Sequence, residues 1–446
     1  MTHTAVEKGA FYASLFVLAF GLGFATYGGG WFPKGPILQA WSQAGTLLPS
    51  SGPDFSYPQV YDRSGVRVER PAQVQPGLTL LASSWDGPGG WRPELRLINR
   101  AGTTLHRWRI EKEALFQEHS TRRSPSEAGV HGTALLPNGD VLANLEYVGL
   151  VRIDACGRVQ WTLAEANHHT IARTDDGTIW TPAVSDTRRT HTPTHPDGLP
   201  GLEKPLWMDQ LLHVSPEGNV LARINLLDVL WANGLQRYVV KGMGPRVQRL
   251  DEDPLHLNDI EPLPAAMADE YPLFEAGDLL LSLRYPDLVL VVDPDTRRVK
   301  WYESRYFTRQ HDPDFIGDGW IGVFDNQRDD TERGTLLGGT RIVKVQPHTD
   351  SVVVPFPSPA SEPHYTESQG KWQQLANGNM LIAETGAGRV VEVDSTGRTV
   401  WEWIHAPTAE GEVPSVMKAQ RYDLTRADVA DWPCTTVGAD PDAGAP

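Results

Sequence analysis

One phrase recurs along this chain and constrains its fold more than any single motif: an apolar strand, a turn opened by Asp, and a second strand closing on Trp. It reads VRIDACGRVQW at 151–161, VVDPDTRRVKW at 291–301 and VEVDSTGRTVW at 391–401. Looser copies are LRLINRAGTTLHRW at 95–108, LLHVSPEGNVLARI at 211–224 and TRIVKVQPHTDSVVV at 340–354. A second phrase precedes these, two alternating strands around an Asn-Gly or Asp-Gly turn, which is a strong short-range hairpin signal. HGTALLPNGDVLANL begins at 131, HTIARTDDGTIWTPA at 169, HDPDFIGDGWIGVFD at 311 and GKWQQLANGNMLIAE at 370. Two hairpins in tandem make a four-stranded sheet that must stack on its neighbours to bury both faces. Six such units of roughly 55 residues fit between about 69 and 405. Sheets stacked radially in this way form an all-β, six-bladed β-propeller. Separate β-sandwich domains are the alternative, but they give no reason for one phrase pair to repeat. Insertions at 184–210 and 264–276 read as loops between strands.

Composition agrees with a turn-rich globular chain: 42 Gly and 35 Pro among 446 residues, with 22% charged. A formal charge of -16, from 40 Lys+Arg against 56 Asp+Glu, excludes a nucleic-acid binder built on a basic face. Ahead of the repeats, Gly9 to Pro33 carries no charge, and FYASLFVLAFGLGFATY at 11–27 is close to the length needed to span a bilayer. Residues 1–32 are therefore expected to form one membrane helix, with a cleaved signal peptide as the alternative. Residues 33–57 follow as a linker, 58–407 as the propeller, and 408–446 as a tail with a short helix near Ser415 to Tyr422. A short N-terminal tail inside and a large exported domain outside is the simpler topology. The two cysteines, Cys156 and Cys434, are either one disulfide or two unrelated buried thiols.

The inner strand of each propeller blade lines the central channel, so one register of successive inner strands rings the axis. Seven positions before Asn138, Asp176 and Asp318 stand His131, His169 and His311. A fourth unit, HLNDIEPLP, opens on His256, while Gly370 and Glu69 occupy the register in the last and first units. Histidines placed in this way either cap inner strands, each bonding its neighbour's backbone, or converge for chemistry. Metal binding, nucleophilic catalysis and general-base catalysis all use converging imidazoles. No metal is expected, because carboxylates and cysteines at ligand spacing are missing from the sequence pattern. Asn258 shares a strand face with His256 and offers an amide donor; Arg284 interrupts the apolar run DLLLSLRYPD, where a side chain snorkelling to the surface is the plain explanation.

Taken together, SGVRVERPAQVQPGLTLLAS, HGTALLPNGD, HLNDI, LLLSLRYPD, QHDPDF with FDNQ, and LANGNMLIAETGAGRVVEVDSTGRTVWEW resemble the bacterial arylsulfotransferases over roughly 58–407. The resemblance implies a six-bladed propeller that moves a sulfuryl group from a phenolic sulfate ester to a phenol, without a nucleotide donor or other cofactor. His311 matches that family's transiently sulfated nucleophile, His256 and Asn258 its H-x-N pair, and Arg284 its sulfate-binding arginine. His169, or its neighbour His168, matches the remaining active-site histidine, and His131 would line the substrate space. Small aryl sulfates and phenols are the implied partners, with the membrane at the N-terminus; a homo-oligomer is left open. A non-catalytic anchored propeller that docks a partner is the competing expectation, since fold does not fix function.

Overall fold

The computed structural model describes residues 55–434, apart from 88–89, 117–121, 203, 243–252 and 330–332, together with residue 53 and residues 16–18 and 20. The stretch 1–32 expected as an anchor falls almost wholly outside these residues. Among the described residues, no helix is long and apolar enough to cross a membrane.

Six antiparallel sheets stand in a ring, all but one of them four-stranded. Blades 2 to 5 take their strands in chain order, from the axis outward. Their inner strands are Val130–Leu135, Ala172–Arg173, Leu257–Pro262 and His311–Phe315. Blade 6 begins at Lys371–Gln374. The expected turns form where the sequence places them, and Gly139 and Gly378 supply the left-handed φ of 85° and 86° that a side chain resists. A hydrophobic cluster fills each gap between neighbouring blades, so burial holds the ring together as six shared cores. The Trp that closes the recurring phrase serves this stacking: Trp161 Nε1 donates to Pro216 O of the next blade at 3.0 Å, and Trp401 Nε1 to Arg100 O at 2.8 Å.

Closure differs from the expectation in two ways. The helix expected near Ser415 to Tyr422 is a strand, Lys418–Tyr422, which pairs with Leu78–Trp85 as the inner strand of blade 1. Its Met, Lys, Ala and Gln favour helix in isolation, but Leu78–Trp85 presents an unpaired edge that outweighs propensity. A helix comes later, at Arg426–Ala430, opened by a capping box at Thr425. The exposed Glu69, counted as the register of the first blade, follows Gly65–Val68, which is the outer fifth strand of blade 6 against Thr399–Ile404. The insertion at 264–276 contains a short 3-10 turn, Ala265–Glu270, and two helices, Leu226–Ala232 and Gln236–Gly242, follow blade 3. Cys156, in the outer turn of blade 2, is bonded to Cys434 with Cα atoms 5.0 Å apart, which settles the cysteine alternatives as a disulfide.

Candidate active site

Each histidine of the register stands at or just before the start of an inner strand, so one end of the channel gathers them. His131, His169 and His256 form a row, with ring centroids 4.4 Å apart for the first pair and 4.8 Å for the second. His169 and His256 adopt left-handed φ values of 55° and 54°, which are uncommon for residues with a side chain and recur at functional sites. His168 stands behind the row: its Nδ1 lies 2.7 Å from His169 Nδ1, and its ring rests 4.8 Å from that of Tyr147. Of the two neighbours, His169 is the one packed between the rings of other blades.

His311 is buried, and its tautomer follows from its surroundings. Asn326 Nδ2 donates to Thr366 O at 2.9 Å and to Gln369 O at 2.7 Å, which turns its Oδ1 toward His311. That oxygen lies 2.6 Å from His311 Nδ1, and Arg309 O lies 3.1 Å from the same nitrogen. With acceptors alone around it, Nδ1 must carry the hydrogen, and Nε2 is left with its lone pair. Burial first, then the Arg284 charge, holds the pKa of His311 well below the usual histidine value, so the ring is neutral at neutral pH.

His256 receives the same treatment from a carboxylate. Asp253 Oδ2 accepts from His256 Nδ1 at 2.9 Å and pairs with Arg122 at 2.9 Å, which again leaves Nε2 with the lone pair. Burial would raise the Asp253 pKa, but Arg122 and His256 more than offset it and hold the carboxylate ionised. Asp209 behaves oppositely: burial and the Asp253 charge push it up to about 8. Burial also lowers His131 to about 4 and His168 to about 3.

Arg284 does not snorkel. It is 6% exposed, its Nε has no hydrogen-bond partner, and no carboxylate among the described residues pairs with it. A guanidinium buried without a counter-ion is costly, and an anion is the ligand that relieves it. Burial pushes its pKa down. The Asn258 amide donates one hydrogen to Gln310 O at 2.8 Å, which fastens the residue ahead of His311. Two tyrosines wall the site, each between an imidazole and a guanidinium. The Tyr285 ring lies 4.9 Å from that of His256 and 5.3 Å from the Arg284 carbon, and the Tyr147 ring lies 3.7 Å from Arg122.

One layer further along the channel, Lys371 Nζ bonds Asp259 Oδ1 at 2.9 Å and Asp312 Oδ1 at 2.5 Å, joining blades 4, 5 and 6. Beyond that septum a cavity of about 810 Å³ opens among Thr170, Asp259, Glu261, Asp314 and Lys371. None of the histidines lines it, so its size says nothing about where the imidazole chemistry lies.

The sequence profile described as Arylsulfotransferase (ASST) matches residues 132–406, from the inner strand of blade 2 to the end of blade 6. The chain belongs to the arylsulfotransferase family. No curated protein matches this family member. Among solved structures, a protein of unknown function from Bacteroides caccae is 16% identical with a TM-score of 0.47, covering 74% of this chain and 94% of its own. A streptogramin B lyase is 10% identical with a TM-score of 0.41, covering 84% and 95%. The WD40 propeller domain of Doa1 is 10% identical with a TM-score of 0.40, covering 86% and 100%. Likenesses this distant carry no functional meaning.

In this arylsulfotransferase-family propeller, several site residues come from a second register that the histidine count passed over. The residues just after each second strand return to the channel mouth: Glu146 and Tyr147 after Val141–Leu145, Arg284 and Tyr285 after Leu279–Leu283, and Asn326 after Ile321–Asp325. The spacing from the Asn-Gly turn would have found Glu146 and Asn326 as readily as it found the histidines. Arg122, Asp209 and Asp253 lie outside both registers.

Proposed function

We propose that this chain is an aryl sulfotransferase working by double displacement through a sulfohistidine at His311. The observation that carries the reading is a neutral His311, its Nε2 lone pair set by Asn326, together with a buried Arg284 that no carboxylate among the described residues pairs with. A phenolic sulfate ester would place its sulfuryl oxygens at Arg284 and its ring against Tyr285. Nε2 of His311 attacks sulfur, the sulfur–oxygen bond to the phenol breaks, and charge gathers on the oxygens that Arg284 faces. An anion bound beside His256 favours its protonated form, which Asp253 stabilises, so His256 can protonate the departing phenoxide. The acceptor phenol then returns that proton to His256 as its oxygen takes the sulfuryl group from His311. The disulfide and the uncharged N-terminal stretch both suit an exported propeller anchored at an inner membrane.

The test is p-nitrophenyl sulfate without acceptor. A covalent route releases about one nitrophenol per site in a burst, and added phenol restores turnover. The His311→Asn variant should fold and show neither. Full activity in that variant would falsify the nucleophile assignment, and absence of turnover with any aryl sulfate would favour a non-catalytic propeller.

A further inference from the structure

Beside His311 lies a donor set to which the transfer steps set out above assign no proton or bond. His131, Glu146 and His169 each bring one ligand atom, all within 4.8 Å of one another. His131 is 2% exposed, and its Nδ1 has no hydrogen-bond partner. The nearest carboxylate oxygen, Glu146 Oε1, stands 3.9 Å away, too far for a hydrogen bond. A buried nitrogen left without a partner is destabilising, and a ligand that takes its lone pair relieves it. Two ligands of one tetrahedral zinc ion stand about 3.3 Å apart at the usual bond lengths, so the gap is close to the span of a shared cation.

We propose that His131, Glu146 and His169 form a binding site for a divalent transition metal of the zinc type. The surroundings are those of a metal site. Glu146 pairs with Arg123 through Oε2, which leaves Oε1 for the ion. The packing of His169 between His131 and His256 and its left-handed backbone fix its ring. Its Nδ1 meets His168 Nδ1 at 2.7 Å, and His168 Nε2 faces Asp209 Oδ1 at 3.6 Å. With a metal on His169 Nε2, the hydrogen sits on His169 Nδ1 and His168 Nδ1 accepts it. A hydrogen bond from the far ring nitrogen is what orients and strengthens a metal-bound imidazole. Three protein ligands of this kind leave a coordination position open, as in catalytic zinc sites. The sequence pattern had offered no carboxylate at ligand spacing; Glu146 supplies it from the second register. Binding here is independent of the sulfuryl-transfer reading.

The full chain, stripped with a chelator and dialysed, is titrated with zinc against a chromophoric chelator and separately with cobalt, whose visible absorption reports the ligand field. One equivalent should bind at micromolar concentration or below, with intense bands of a four-coordinate cobalt site. His131→Ala and Glu146→Gln should each weaken zinc at least tenfold and abolish the bands. The His311→Asn variant should bind as the parent does, whatever its activity. Each variant is compared by melting temperature without metal, so a misfolded one is replaced by His131→Gln. Failure of the parent to bind one equivalent, or equal binding by folded variants at positions 131 and 146, overturns the site.

Discussion

Replacing Asn326 tests the link between packing and chemistry most directly, because that residue touches His311 and would touch no substrate. In Asn326→Ala the acceptor at 2.6 Å disappears, and Nδ1–H keeps only Arg309 O at 3.1 Å. Leaving a buried donor poorly matched costs about 1–3 kcal/mol. Spent on tautomer and ring orientation, that energy corresponds to roughly 5- to 150-fold in rate. The remaining Arg309 carbonyl argues for the lower part of that range, about tenfold. The loss should appear in the burst rate constant with p-nitrophenyl sulfate and leave KM nearly unchanged, since Asn326 is not placed to bind the ester. Thermal melting will fall as well, because Asn326 also bonds Thr366 O and Gln369 O, each worth about 1 kcal/mol net. Melting therefore serves as the control that the fold persists at the assay temperature. Magnetic resonance on protein with heavy-nitrogen histidine reads the tautomer without any turnover. A parent spectrum with the hydrogen on Nε2 of His311, or a burst rate within twofold of the parent in the folded variant, would refute the reasoning.

Arg284→Ala should keep a slow burst but lose roughly 10²- to 10³-fold in its rate, the usual effect of deleting one donor to a developing anion; a loss under threefold would separate Arg284 from the sulfuryl group. Alkylation of the denatured, unreduced protein should label neither Cys156 nor Cys434, and reduction should cost about 2–4 kcal/mol of stability, because the bond closes a loop spanning 278 residues. Labelling of both thiols before reduction rejects this. Buried Glu384 sets an acid limit: burial would raise its pKa, but His364, Arg389 and Tyr61 outweigh that and hold it at about 2 against the ordinary 4.5. Its ionised form therefore adds stability above about pH 4.5 that is lost as the pH falls toward 2, on the order of 3 kcal/mol. Glu384→Gln should flatten that limb of the melting curve, and an unchanged slope would remove Glu384 as its cause.

The ring of blades was legible because its information is local: each hairpin states its own strand lengths, turn and facing Trp within a few residues. The same locality made His131, His169, His256 and His311 legible, since one turn fixes one inner-strand start. What failed to show was non-local. Lys418–Tyr422 reads as helix until Leu78–Trp85 lies beside it, and Glu69 reads as an inner-strand residue until Gly65–Val68 joins the outside of blade 6. The apolar run around Arg284 left it open between surface and site, with the resemblance alone pointing to the site, because a sequence cannot reveal that burial comes without a carboxylate. Asn258 kept its expected strand but turned its amide to Gln310, a choice made by the neighbouring blade. The nearness of Asp209 to His168 was hidden for a similar reason: Asp209 belongs to the third strand of its blade and comes within 3.6 Å of His168 only after the blade has formed.

The position of the closing strand also governs the order in which the molecule can come into being. A ribosome makes the rest of blade 1 early and its axial strand only after the other five blades. Until residue 422 has been made, Leu78–Trp85 keeps an open edge of apolar residues that are wholly buried in the finished ring. Such an edge invites pairing with another unfinished chain. A message cut short would therefore yield an adhesive, open arc instead of a smaller working protein. Cys434 arrives only after that strand, so its bond to Cys156 cannot form before the closing strand has been made.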